Sequence, residues 1–164
     1  MSESGLWNLI QWLHYLGLVM WVGGITFFAG IVAPSVHHSM VSKPLAGELV
    51  GKILKRLNLM EVACFVLLLV TSASSLHFVH TSETWLGYLI LLVLMMGLVT
   101  CFYTFYLTPR MDFLKESFPT LDAVSSHHAT KIEFDHLHRI YVKLMSLNLV
   151  LGLILLYGSL VVLK

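Results

Sequence analysis

Charged residues are scarce in this chain. Asp, Glu, Lys and Arg make up 12% of its 164 residues and hydrophobic residues make up 57%, whereas soluble globular domains are about one quarter charged. The mean hydropathy is +0.83. This composition excludes an ordinary soluble domain. The sequence also lacks a Gly-rich phosphate loop, a nucleophile elbow and a nucleic-acid-binding motif, so we expect no nucleic-acid partner.

Cysteine is nearly absent, and basic residues are missing at the start of the chain. Cys64 and Cys101 fall in two different hydrophobic stretches, where a lone thiol is most often a small core residue, so we infer no disulfide. The residues before the first hydrophobic stretch include Glu3 but no Lys or Arg. That stretch is also longer than the hydrophobic region of a signal peptide, so we expect it to be retained.

What the sequence does contain is four long hydrophobic stretches. A bilayer core about 30 Å thick is crossed by about 20 apolar residues in a helix. The stretches run over Leu6–Ala33, Leu57–Val79, Trp85–Leu107 and Ile140–Leu163. Helices this close in sequence pack as neighbours. We therefore predict an all-α fold, an integral membrane four-helix bundle with up-down-up-down topology, as a single domain over residues 1–164.

The basic residues predict the orientation of this bundle. Nine of the ten lie between the first and second stretches, or between the third and fourth stretches and at the start of the fourth: Lys43, Lys52, Lys55, Arg56, Arg110, Lys115, Lys131, Arg139 and Lys143. Loops rich in Lys and Arg stay in the cytoplasm. We therefore expect both long loops inside and both termini outside.

Local signals refine the helices. Pro34 and Pro109 predict the ends of the first and third spans, because proline cannot donate the next helical hydrogen bond. From Pro44 to Leu57 apolar residues recur at every fourth position among charged ones, which predicts an amphipathic helix on the membrane surface that continues into the second span.

Two spans carry a series of residues at three-four spacing that predicts an inward face. In the first span the series is His14, Gly17, Trp21, Gly24 and Phe28, and in the fourth it is His138, Tyr141, Met145, Asn148 and Gly152. Small residues at such positions let helices approach closely, and Asn or Ser forms hydrogen bonds between helices.

His14 is the sharpest functional candidate, because an ionisable residue inside a span indicates a functional site by default. His77 and His80 lie at a similar depth, at the outer end of the second span. Two imidazoles on different helices can ligate a b-type haem, so these three residues are candidate cofactor ligands. The alternative, which we favour, is a hydrogen bond from His14 to a Ser or Tyr hydroxyl. In both cases we expect its ring to point at the second span, toward His77 or the stretch Ser72–Ser75.

A second candidate is a polar cluster at the cytoplasmic ends of the helices. Its members are Glu61, Arg110, His138, Arg139, Tyr141 and Asn148, with Asn58 beside them. A carboxylate inside the membrane is costly unless it is paired. We therefore expect Glu61 to pair with Arg110, Arg139 or His138. The cluster is either a structural clamp or a site for a ligand or a proton.

Six histidines fall on the cytoplasmic side: His37, His38, His127, His128, His136 and His138. They could bind copper or another metal, but adjacent histidines do not point in one direction on a helix. Solvated loop residues are therefore the favoured interpretation.

Several short motifs resemble the transmembrane protein 205-like family, whose bacterial members are described as a domain of unknown function. They are Trp12-Leu13-His14, Trp21-Val22-Gly23-Gly24, Val32-Ala33-Pro34, Tyr106-Leu107-Thr108-Pro109-Arg110 and Phe134-Asp135-His136-Leu137-His138. The first span is also similar to HemJ-type protoporphyrinogen oxidases, which bind haem, and its Trp-x-Gly-Gly portion to CopD-type copper-resistance proteins. Both of these similarities end after the first span.

These resemblances imply a bacterial inner-membrane protein of undefined biochemical role. Our leading interpretation is a non-enzymatic bundle in the lipid bilayer, acting alone, as a homo-oligomer or as an accessory subunit of a membrane complex. The alternatives are a haem b protein that transfers electrons or acts on a porphyrin through His14, and a protein that handles copper or another metal.

Overall fold

The structure is a computed structural model that describes residues 3–78, 83–116 and 129–162. Its regular elements, within these ranges, are all helical. The α-helices are α1 (Glu3–Phe27), α2 (Ala33–Ser39), α3 (Lys43–Ser75), α4 (Glu83–Phe102), α5 (Thr108–Glu116) and α6 (Ala129–Val162). A first π segment, Phe28–Val32, joins α1 to α2, and a second π segment, Tyr103–Leu107, joins α4 to α5.

The four long helices form a closed square. α1 packs against α3 and α6, and α4 packs against the same two helices. His14 in α1 contacts Ser159 near the end of α6, so the N-terminal half of the first helix lies beside the C-terminal part of the last and the two run antiparallel. This arrangement confirms the predicted all-α, up-down-up-down bundle.

Within the described residues, three helical runs are long and apolar enough to cross a membrane: Glu3–Ser39, Thr84–Glu116 and Ala129–Val162. They identify an integral membrane protein that fits a lipid bilayer. The predicted second span lies in α3, which is not one of these three runs. This helix contributes two buried polar residues, Asn58 and Glu61, to the interior. It begins at Lys43 as one continuous helix, as the amphipathic pattern predicts.

The two helix-ending prolines do not end their helices, so this prediction is wrong. The helix of Pro34 continues to Ser39 and that of Pro109 continues to Glu116. In both cases a five-residue π segment ends two residues before the proline. The wider π turn accommodates the proline ring and the missing N–H without loss of the helical path. Each proline therefore marks a break inside a helix.

The predicted inward faces are confirmed with one exception. Trp21 and Tyr141 are 0% and 1% exposed, and Met145, Asn148 and Gly152 are buried along α6. His138 is exposed, because it precedes the part of α6 that the other helices surround. The close helix contacts occur at small residues: a Cβ added to Gly24 would lie 2.5 Å from Cε of Met60.

At Gly97 an aromatic ring from a neighbouring helix packs directly against the helix backbone. A Cβ added there would overlap the ring of Phe65 on α3. We expect Gly97→Ala to destabilise the bundle by about 1–3 kcal/mol, because the ring must leave its position in a packed core. Unfolding of purified protein by a denaturing detergent, followed by circular dichroism, measures this. Gly87→Ala, on the same helix where an added Cβ meets nothing, is the control and should unfold like the wild type.

Candidate functional site

The first buried polar cluster surrounds His14, which is 1% exposed. Its Nδ1 lies 3.0 Å from Oγ1 of Thr71 on α3, and its Nε2 lies 3.0 Å from Oγ of Ser159 on α6. The adjacent Tyr15 hydroxyl donates to the backbone carbonyl of Ser159 at 3.1 Å. One imidazole therefore joins three helices in the half of the bundle that contains the N-terminus of α1 and the C-terminus of α6.

The hydroxyl groups indicate which nitrogen of His14 carries the proton. Thr71 donates its single proton to the carbonyl of Leu67 at 2.9 Å, so it accepts from Nδ1–H of His14. Ser159 can then donate to Nε2. A neutral ring with the proton on Nδ1 satisfies every partner, which is the assignment the hydrogen-bond network requires.

His14 and the other histidine candidates do not come together in the described residues. The ring of His14 points inward to α3, but it meets Thr71 rather than His77 or the stretch Ser72–Ser75. His77 is exposed in the turn that follows α3, and His80 lies outside the described residues. Both nitrogens of His14 are hydrogen-bonded, so ligation of a haem iron by one of them would replace one of these hydrogen bonds.

The described histidines among those predicted to be cytoplasmic form no ligand set either. Among the described residues there is no group of three or more His, Cys, Asp or Glu side chains placed to hold a metal ion. His37, His38, His136 and His138 are exposed, and His138 stacks on Phe134 with ring centroids 6.2 Å apart. His127 and His128 lie outside the described residues.

The second buried polar cluster centres on Glu61, which is 1% exposed. The Tyr103 hydroxyl donates to its Oε2 at 2.7 Å. The same hydroxyl lies 3.1 Å from Oγ1 of Thr100 and 3.3 Å from Nδ2 of Asn148. Asn148 also donates to Thr100 at 2.8 Å. Residues from α3, α4, the second π segment and α6 thus meet at one phenol group.

The predicted basic partner of Glu61 is wrong within the described residues. Arg110 instead pairs with Glu133 at 2.7 Å on the surface, and Arg139 and His138 are exposed. The reason is the continuation of the helix past Pro109, because Met111 and Leu114 form the buried face of α5 and Arg110 lies on its exposed face. A tyrosine hydroxyl supplies the hydrogen bond without bringing a second charge into the core.

Tyr141 and Asn58 form the layer next to this cluster. The Tyr141 hydroxyl donates to Oδ1 of Asn58 at 2.6 Å, and its ring meets that of Tyr103 edge to face with centroids 5.1 Å apart. Tyr103 and Thr100 were missed by sequence reasoning, although their i,i+3 spacing places both on one face of a helix. Ser159 was missed too, although it extends the three-four series of the fourth span.

Three deeply buried polar atoms have no hydrogen-bond partner among the described residues: Oε1 of Glu61, Oδ1 of Asn148 and Nε1 of Trp21. Their residues are at most 1% exposed. Glu61 and Asn148 both contact the Tyr103 hydroxyl through their other polar atoms, so the residues that carry the two unpartnered acceptors belong to one cluster. Trp21 lies one turn before Gly24, which packs on Met60 beside Glu61. Buried polar atoms of this kind call for a proton, a water or an ion.

A pocket of about 270 Å³ opens close to this cluster. We call it the Lys55 pocket; it lies between α3, the second π segment and α5, and it is lined by Lys55, Asn58, Leu59, Thr104, Phe105, Thr108, Pro109 and Asp112. Asn58 belongs both to the pocket wall and to the layer beside Glu61. The Lys55 pocket therefore ends one helical turn from the buried carboxyl group.

The His14 cluster generates a stability prediction. His14→Ala removes the partner of two buried hydroxyl groups and leaves a void, so we expect a loss of about 1–3 kcal/mol in the free energy of unfolding. Detergent unfolding of the purified protein measures this loss. His37→Ala, which changes an exposed imidazole on α2, should stay within about 0.5 kcal/mol of the wild type. Equal stability of the two variants would contradict the role assigned to His14.

Comparison with known proteins assigns the chain to a family. Neither the curated proteins nor the solved structures include a match to this chain. A family model described as "Domain of unknown function (DUF4149)" matches residues 16–117, which is more than half of the chain. That range contains Glu61, Tyr103 and the whole Lys55 pocket, while His14 and α6 lie outside it. By this match the chain belongs to the DUF4149 family.

Proposed function

We propose that this membrane protein binds and releases a proton at Glu61, inside the bundle. The observation that carries the proposal is a carboxyl group that is 1% exposed, accepts a hydrogen bond from Tyr103 and has no Lys, Arg or His partner among the described residues. An ionisable residue in such a position indicates an ion or proton site.

The local hydrogen bonds favour a proton as the ligand. An ionised carboxylate would leave Oε1 of Glu61, like Oδ1 of Asn148 in the same cluster, as a buried acceptor without a donor. A proton on Oε1 turns the first of these atoms into a donor. A neutral carboxyl group also avoids the cost of an unpaired charge in the membrane. In the proposed resting state of the protein, Glu61 is therefore protonated on Oε1 and the Tyr103 hydroxyl donates to Oε2.

The route for the proton leads toward the basic end of the bundle. Asn58 precedes Glu61 by three residues on α3, which is about 4.5 Å along the helix axis. Water in the Lys55 pocket can thus approach Glu61 to within one turn. On release, the proton passes from Oε1 to such a water, and the carboxylate that remains keeps the Tyr103 hydrogen bond.

The proposal is built on Glu61 rather than on His14 or the surface histidines. Haem ligation by one nitrogen of His14 would replace its hydrogen bond to Thr71 or the one to Ser159. The described cytoplasmic histidines are exposed and do not converge. Glu61 combines burial, an unpartnered atom and a nearby pocket.

Infrared spectroscopy tests the state of Glu61. We expect purified protein at neutral pH to show the carbonyl stretch of a protonated carboxylic acid, because only a deeply buried acid stays neutral there. Glu61→Gln should abolish the band. Glu48→Gln, a change to an exposed carboxylate on the same helix, should leave it intact. Tyr103→Phe should shift the band, since the hydrogen bond to Oε2 is lost. A band that survives in Glu61→Gln would refute the assignment.

We also propose that the end of the bundle with the Lys55 pocket faces the cytoplasm of a bacterial inner membrane, with both termini outside. Lys52, Lys55 and Arg56 on α3 and Lys115 on α5 lie at this end, and such residues favour the cytoplasmic side.

Cysteine accessibility checks this orientation. In a variant without Cys64 and Cys101, a new cysteine at exposed Glu3 should react with a membrane-impermeant maleimide added outside intact cells. A cysteine at exposed His38, on α2, should react only after the cells are opened. The reverse pattern would contradict the proposed orientation.

A further inference from the structure

The Lys55 pocket is a separate feature with its own chemistry. Its polar wall carries the ion pair of Lys55 and Asp112, whose Nζ and Oδ2 atoms are 2.7 Å apart. Both side chains are partly open to the surroundings, at 50% and 34% exposure. A positive and a negative group thus lie side by side in the pocket wall. Each of them can instead pair with the opposite charge of a zwitterionic ligand.

The inner wall adds uncharged polar groups. The Thr104 hydroxyl is buried without a hydrogen-bond partner among the described residues. Pro109 has no N–H, so it cannot donate to the carbonyl of Phe105 four residues earlier. The Asn58 amide donates to Thr108 only at 3.3 Å. The second π segment therefore places one hydroxyl group without a partner among the described residues, that of Thr104, on the pocket wall.

The remaining wall is apolar and exposed. Leu59 on α3 is 62% exposed and Phe105 is 64% exposed. Seven residues further into the bundle on each helix, Val66 and Leu98 are 54% and 70% exposed. Residues seven apart share one face of a helix. An apolar track thus leads from the pocket along neighbouring helices α3 and α4 toward the centre of the membrane.

We propose that the Lys55 pocket binds a phospholipid whose headgroup carries a primary ammonium. The phosphate pairs with Lys55, the ammonium donates hydrogen bonds to Asp112, and an acyl chain lies along Leu59 and Phe105. The pocket sits where the charged part of α3 meets its apolar part, which is the depth of lipid headgroups. Its volume of about 270 Å³ is below that of most sites for drug-sized ligands and suits a headgroup.

The choice of headgroup follows from the paired charges. An anionic lipid without an ammonium would leave Asp112 facing a phosphate. A choline headgroup carries a positive charge but has no N–H to donate. A phosphatidylethanolamine satisfies both side chains. This inference rests on the pocket alone and does not depend on the protonation of Glu61.

Native mass spectrometry tests the proposal. The protein is equilibrated with phosphatidylethanolamine, phosphatidylcholine and phosphatidylglycerol of identical acyl chains, and the retained lipid is identified. We expect phosphatidylethanolamine to be retained about threefold to fivefold over phosphatidylcholine, the range of a partly exposed ion pair. Equal retention of the three lipids would overturn the proposal.

Variants assign the preference to particular side chains. Asp112→Asn should abolish the preference for ethanolamine over choline and raise the retention of phosphatidylglycerol, because Lys55 is then free for an anionic phosphate. Lys55→Gln should lower the retention of all three lipids. Both residues are partly exposed, and a folded, monodisperse variant is confirmed by gel filtration before measurement.

The matched control is Glu48→Gln. It removes one negative charge and breaks the i,i+4 ion pair with Lys52 on the same helix, but it lies outside the pocket wall. We expect its lipid retention to equal that of the wild type. If Glu48→Gln changed the preference as much as Asp112→Asn, net charge would explain the effect and the proposed site would be wrong.

Discussion

The hydroxyl group of Tyr103 provides a hydrogen bond to a carboxyl group in the middle of the protein, and much of the bundle is arranged around this contact. No water is available in a bilayer core to solvate polar groups, so each must find its partner within the protein. Tyr103 reaches Glu61 on α3 at 2.7 Å and Asn148 on α6 at 3.3 Å. It therefore ties three of the four long helices together without placing a second charge in the interior.

The second π segment positions this tyrosine and also creates the Lys55 pocket. Tyr103 is its first residue, and its backbone carbonyl accepts from the Thr108 hydroxyl at 2.9 Å. The π segment before Pro109 thus has two consequences: its first residue directs a phenol inward, and its second residue, Thr104, lines the Lys55 pocket. Pro34 follows the first π segment with the same offset. In both helices, a π segment therefore accommodates the proline ring that follows it.

Much of the fold could be predicted from the sequence. The hydrophobic stretches, the inward faces of α1 and α6 and the continuous helix from Lys43 follow from local patterns with a fixed helical period. The predicted helix ends at the two prolines were wrong, because a π segment can accommodate a proline ring that a regular α-helix cannot. The expected pairing of Glu61 with a basic residue was also wrong. Arg110 follows Pro109 in the sequence, but the helix continues there and Arg110 lies on the surface, where it pairs with Glu133.

Sequence alone determined that this chain lies in a membrane, that it forms a bundle of helices and that His14 and Glu61 face its interior. Each of these properties depends on composition or on a spacing within one helix. Only the tertiary structure decided the partners: Thr71 and Ser159 for His14, and Tyr103, 42 residues away in sequence, for Glu61. Such pairs depend on the relative depth and rotation of separate helices, which are set by packing across the whole core and not by any local pattern.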